Sequence, residues 1–309
     1  MSKAPVVAGP SAITPAGLAN LTVVYLGWSG TYLAIRIAVR EGAGFSPLFL
    51  AGTRLLVAGL ILLLLALWAK NRIRLSRNEW PVLVTSALLL WLGGNGLVVW
   101  GEQRADSGYA ALLVGSTPIW VALIESVLDR RAPTRLLLLS LAIGFGGLVV
   151  LAAPTLQGGM SADIPTLLAL IGAPVAWGAG SILQSRRPLD LQPFASSALQ
   201  HLVGAAGFLV LIVAAQEPRP APTTEAWLAW AYLVVVGSVI TFTSFIQALR
   251  LLPTSVVFTY AYVNPVGALL LGWIVLREPL TVWTIGGAAL VLFGVAGVFR
   301  DRQSRAGAA

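Results

Sequence analysis

The sequence predicts an all-α, polytopic membrane protein whose ten spanning helices form two inverted five-helix repeats. Three observations lead there. Charged residues make up 10% of the chain and hydrophobic residues 57%, with a mean hydropathy of +0.85, whereas soluble domains carry about 25% charged residues. The apolar side chains fall into ten runs of about 20 residues, the length that crosses about 30 Å of hydrocarbon at about 1.5 Å per residue. Finally, the chain aligns with itself at an offset close to half its length.

The predicted spans are 18–37, 48–69, 81–100, 107–124, 136–156, 164–183, 191–215, 226–249, 253–276 and 280–299. Most hold no charge; the exceptions are Arg36, Arg54 and His201. The closest joints, near Arg104 and Arg250, are marked by Gly93-Gly94 and Pro253, which interrupt the apolar runs. The N-terminus has no basic region leading into a short apolar segment and a small-residue cleavage site. The first run is therefore expected to stay as a span. The expected organisation is a tail over 1–17, a first repeat over 18–156, a connecting loop over 157–163, a second repeat over 164–299 and a tail over 300–309.

Lysine and arginine sort by side. With ten spans, one side holds both termini and carries fourteen such residues, against five on the other. The positive-inside rule then places both termini in the cytoplasm of a plasma (inner) membrane. The net charge of +8 includes only two lysines, and the arginines lie between apolar runs. That distribution marks membrane topology and argues against a nucleic-acid partner. The chain has no Cys, which excludes disulfides, thiolate catalysis and Cys-based metal sites.

The internal repeat appears when the chain is slid by 147 residues. Pro118 then falls on Pro265, Leu123 on Leu270, Arg130 on Arg277, Thr134 on Thr281, Ala142 on Ala289 and Gly147 on Gly294. A shift of 149 places Trp28 on Trp177. Five spans per repeat reverse the second copy in the membrane. Such inverted pairs characterise secondary transporters that hold substrate between the halves near the midplane.

Candidate site residues follow from polarity at depth. Trp28 and Trp177 lie about ten residues into their spans, where an indole N–H needs a partner or a wet cavity. Tyr25, Trp28 and Tyr32 share one helical face. Tyr260 and Asn264 are spaced i, i+4 immediately before Pro265, and Thr241, Ser244 and Gln247 lie on one arc of span eight. Gly93-Gly94-Asn95-Gly96 would loosen span three and turn backbone carbonyls toward a cavity. Together these residues suit a substrate with apolar and polar parts. Arg54 and His201, equivalent at the 147 offset, are candidates for carboxylate binding or gating, or for structural hydrogen bonds. Pro118 and Pro265 are gating or structural positions. Trp68, Trp80 and Trp227, at span ends, read as interfacial anchors.

No Asp or Glu lies in the central part of any predicted span. Proton-driven exchange commonly uses such a carboxylate, so uncoupled transport is expected. One His, no Cys and no midplane carboxylate leave nothing from which to build a catalytic or metal site. Neither an enzyme nor a cofactor is expected, and charged pore rings for a channel are missing.

The stretch 264–267, the run 276–281 with Glu278 in the last turn between spans, and the small-residue segment Thr284-Ile285-Gly286-Gly287-Ala288 through Gly294 resemble the EamA repeat. That repeat defines a branch of the drug/metabolite transporter superfamily. Arg131 stands in the first half where Glu278 stands in the second, so the acidic turn residue is present once. Within the family, the chain is most similar to aromatic amino acid exporters of the YddG type. The resemblance implies export of Phe, Tyr, Trp and related small molecules through a ten-helix basket, working as a monomer in the lipid bilayer. Exporters of other amino acids, drugs or metabolites in the same superfamily are the alternative.

Overall fold

The protein is described by a computed structural model covering residues 12–39, 42–102, 112–157, 164–276 and 281–306. Every regular element among the described residues is helical. Eight helices there are long and apolar enough to cross a membrane. They are α1 (Pro15–Val39), α2 (Pro47–Trp68), α3 (Glu79–Gly101), α4 (Leu112–Asp129), α5 (Arg135–Gln157), α6 (Ile164–Arg186), α7 (Pro193–Ala214) and α8 (Thr224–Leu251). Two further helices follow, α9 (Tyr260–Leu276) and α10 (Val282–Ala306).

Local chemistry sets several boundaries. Thr14 and Ser46 accept hydrogen bonds from the N–H groups of Gly17 and Phe49, with Pro15 and Pro47 opening the helices behind them. Thr223 caps α8 through Ala226 in the same way. The helix of α1 ends at Ser29 and restarts at Thr31 across Gly30. The predicted ninth span begins later than expected. Leu252 is extended and Pro253 opens a single turn, Thr254–Val257, before α9 starts at Tyr260. Proline lacks the N–H that would continue α8, so its polypeptide breaks into two joints there.

Helices α2 and α7 look like copies. Each opens on a proline, Pro47 and Pro193, and each is followed by a left-handed residue, Lys70 and Gln216. They pack against each other antiparallel: a Cβ on Gly52 would meet Phe208 and Ile212, whereas one on Gly59 would meet His201 and Leu202. Helices α5 and α10 also run antiparallel, at backbone contact. A Cβ on Gly294 would lie 2.6 Å from the Gly144 backbone, and one on Gly147 would lie 2.7 Å from the Val291 nitrogen. Shifting Gly147 and Val291 by 147 residues in opposite senses gives Gly294 and Gly144. The two contacts are therefore one contact made twice. Small residues allow this approach in lipid, where no hydrophobic force drives helix association.

The remaining pairings cross over. Helix α1 packs on α8, with Gly27 against Thr241, and α6 packs on α3, with Gly180 against Leu89 and Leu90. Large apolar side chains such as Leu26, Leu64, Leu168, Val210 and Phe293 are exposed on the outside, as a lipid-facing surface requires. Trp68, Trp80 and Trp227 are exposed near helix ends, where an interfacial belt would sit. The connecting segment 158–163 and the Arg277–Glu278 turn lie outside the described residues.

Candidate functional site

Helices α3 and α8 change winding at corresponding places. Residues Leu88–Gly96 of α3 and Leu233–Ile240 of α8 are π-helical. A π-turn widens the helix and concentrates at functional sites. Gly93 to Gly96 supply the looseness read from the sequence. A Cβ on Gly94 would stand 2.8 Å from the Trp177 ring, so glycine there admits that indole. In the other half, the Trp28 indole N–H donates to the Gly237 carbonyl at 3.0 Å. Each wide segment thus receives the deep tryptophan of the helix packed on it.

The two tryptophans meet. Their rings lie 5.8 Å apart and nearly perpendicular. Trp28 also lies 4.9 Å from Tyr260 and 5.1 Å from Phe245, and Phe245 lies 5.8 Å from Trp177. The chain of rings continues from Trp177 to Trp91 at 6.0 Å, and from Trp91 to His201 and Phe242 at 4.8 Å each. These separations fit edge-to-face and offset aromatic packing. The indole N–H groups of Trp91 and Trp177, the Asn264 Oδ1 and the His201 Nε2 are buried without a hydrogen-bond partner among the described residues. Such groups cost free energy unless water or a ligand satisfies them.

One end of this cluster is sealed. Leu21, Val24, Leu249, Leu252, Val256, Val257 and Phe258 are fully buried around the α8–α9 joint. Polar contacts clamp them from outside: the Thr254 hydroxyl donates to Glu125 of α4, Arg302 of α10 pairs with Glu125 at 3.6 Å, and Arg302 donates to Ser255 at 2.6 Å. Arg186 and Asp129 add a bidentate pair at 2.6 and 2.8 Å, and the Arg250 guanidinium donates to the Leu191 carbonyl at 2.7 Å. Toward the opposite end, a cavity of ≈ 120 Å³ is lined by Ile35, Val39, Leu50, Arg54, Asn95 and Val99, with Pro47 and Ala51.

The structure brings together Trp28, Trp177, Tyr260 and His201 of the sequence candidates, and puts Arg54 and Asn95 on the cavity. Arg54 is 7% exposed, and its Nε donates to Ser238 at 2.8 Å. His201 is fully buried, with Nδ1 bonded to the Ser197 carbonyl at 2.8 Å. Asn264 is buried beside Pro265, which lies inside α9, and Pro118 follows the turn at Gly115–Ser116 that interrupts α4. Thr241 is buried against Gly27, and its hydroxyl finds no partner among the described residues. Ser244 and Gln247 are half-buried on α8, outside the chain of ring contacts. The Tyr32 side chain lies outside the described residues.

Sequence reasoning missed Trp91, Phe242, Phe245 and Ser238. The signal for Trp91 was present, since it sits twelve residues into α3, as deep as Trp177 in α6. Phe242 and Phe245, spaced i, i+3, carry no polar group that would set them apart within an apolar run.

Apolar helices with an outward apolar surface, paired across two similar halves around a buried aromatic site, define a multi-pass integral membrane protein with a transporter architecture. The chain belongs to the EamA-like transporter family of the drug/metabolite transporter superfamily, whose repeat matches residues 16–153 and again 164–300. It is 31% identical over 257 residues to the uncharacterized inner membrane transporter YedA of Escherichia coli (strain K12), covering 82% of this chain and 80% of that protein. It is 24% identical to the uncharacterized transporter YoaV of Bacillus subtilis (strain 168), covering 90% and 94%. It is 25% identical to the S-adenosylmethionine/S-adenosylhomocysteine transporter of Chlamydia trachomatis serovar L2, covering 81% and 79%. A crystal structure at 22% identity superposes with a TM-score of 0.79 over 93% of this chain and 96% of that one; at that identity the likeness concerns the fold.

Proposed function

We propose that the protein exports aromatic amino acids (Phe, Tyr, Trp and related compounds) by alternating access. In this reading it is a monomer of ten spans in two inverted repeats, in the plasma (inner) membrane, with both termini cytoplasmic. The observation that carries the substrate reading is the ring cluster of Trp28, Trp177, Tyr260 and Phe245 at the meeting of the two halves, with a buried unpartnered indole N–H at Trp177. An incoming aromatic ring would exchange ring–ring contacts for equivalent ones, while its polar groups satisfy the orphaned N–H and Asn264. The antiparallel pairing of α2 with α7, and of α5 with α10, supports the inverted arrangement, because equivalent helices of inverted copies run in opposite directions. The sealed end carries the arginine-rich connections, so this conformation is closed to the cytoplasm and its cavity faces outward.

Without a carboxylate in the central part of a span, transport runs down the substrate's own gradient. The test is uptake of labelled Phe and Trp by purified protein in proteoliposomes, with Thr, Lys and S-adenosylmethionine as competitors. Uptake blocked by Phe, Tyr and Trp but not by Thr or Lys supports the reading. Uptake of S-adenosylmethionine in preference to Phe would replace it with the reading its chlamydial relative suggests, in which the adenine ring occupies the ring cluster. Uphill accumulation driven by an imposed pH gradient would refute uncoupled transport.

A further inference from the structure

The outward cavity presents a charge that the aromatic site does not use. Arg54 stands seven residues into α2 from Pro47, about 10 Å along the helix axis, and is buried. No carboxylate among the described residues pairs with it. Its Nε donates to Ser238 at 2.8 Å, which fixes the plane of the guanidinium. Among the described residues its two terminal nitrogens find no hydrogen-bond partner, yet they are not shut away from solvent. They therefore open on the cavity that Arg54 lines with Asn95. A buried guanidinium left in this state is costly unless an anion completes it, and its fork matches a carboxylate through two parallel N–H bonds.

Position links this charge to the aromatic site. The Ser238 that holds Arg54 follows Gly237, whose carbonyl accepts the Trp28 indole. A Cβ on Gly237 would lie 3.7 Å from Arg54 Nη2. The π-helical segment of α8 thus holds the cation and the tryptophan on consecutive residues.

We propose that Arg54 is the docking point for the carboxylate of the transported molecule, with Ser238 orienting the guanidinium and Asn95 lining the same cavity. This deepens the aromatic amino acid reading and rests on it for the position of the ring. The substrate class it specifies is a small molecule with a free carboxylate.

The experiment is binding to the purified full-length protein, followed by melting-temperature shift and intrinsic fluorescence. The probes are phenylalanine, phenylalaninamide, 3-phenylpropionate, alanine and inorganic phosphate. Phenylalanine and 3-phenylpropionate are expected to bind, and phenylalaninamide to bind about 10- to 100-fold more weakly, the weight of a hydrogen bond to a charged group. Arg54→Gln is expected to erase the difference between acid and amide, and Arg54→Lys to keep part of it. Equal affinity for acid and amide in the wild-type protein overturns the proposal without any variant. It is overturned equally if Arg54→Gln, melting as the wild type does without ligand, still discriminates, if phosphate binds more tightly than every carboxylate, or if no carboxylate binds. If alanine binds as well as phenylalanine and both depend on Arg54, the aromatic reading fails and the carboxylate site stands.

Discussion

Replacing Trp28 separates its structural role from its role toward substrate. Trp28→Phe removes the hydrogen bond to Gly237 and keeps an aromatic ring; the loss is ~0.6–1.5 kcal/mol, spanning averages for hydrogen bonds in membrane and soluble proteins. Trp28→Leu also removes three ring pairs, with Tyr260, Phe245 and Trp177. At ~0.5–1.5 kcal/mol each, the total for Trp28→Leu is ~2–6 kcal/mol. If a substrate ring packs on Trp28 during transport, loss of one such pair raises KM by about 2- to 12-fold. Initial rates of Phe uptake in proteoliposomes, read with melting temperatures of the same preparations, give both quantities. Trp28→Phe is expected to lower the melting temperature slightly and to leave KM close to that of the wild type. Trp28→Leu is expected to raise KM as well. If Trp28→Leu remains folded and transports Phe with the wild-type KM, the ring cluster is not where the substrate binds.

Two further perturbations test the packing and the closed end. Gly294→Val would drive a Cβ to 2.6 Å from the Gly144 backbone, atoms that cannot rotate away, so destabilisation of at least ~1–3 kcal/mol is expected as a lower melting temperature; Gly286→Ala, whose added Cβ meets nothing among the described residues within 4 Å, serves as the neutral control, and equal melting of the two variants would contradict the crossing. Glu125→Gln weakens the contacts to Arg302 and Thr254 that clamp the sealed end. Because the chain contains no Cys, a Val257→Cys reporter can be labelled with a maleimide without background, and Glu125→Gln is expected to speed its labelling by about 2- to 5-fold; an unchanged rate would remove Glu125 from the closure.

The repeat was legible because proline and glycine carry backbone information. Pro118 with Pro265 and Gly147 with Gly294 could be aligned without knowing any contact, and Gly294 then proved to be a crossing point. Trp28 and Trp177 were legible as a pair because an indole deep in a span is rarely idle. The arc of Thr241, Ser244 and Gln247 was harder to place. A regular helical period defines that arc, whereas α8 is π-helical over Leu233–Ile240, which changes the direction of everything beyond. Phe242 and Phe245 therefore join the rings, while Ser244 and Gln247 remain half-buried beside them.

By itself the sequence determined the environment and the plan of the molecule. Runs of about 20 apolar residues have no stable place outside a bilayer, and a repeated pattern folds into repeated structure whatever its surroundings. Only the tertiary structure decided which end is sealed, that Trp28 and Trp177 touch, and that Arg54, held by Ser238, lines a cavity. Those outcomes depend on contacts between residues far apart in the chain, such as Trp28 and Gly237 at 209 positions, and on a local change of helical winding. Neither leaves a periodic trace along the chain.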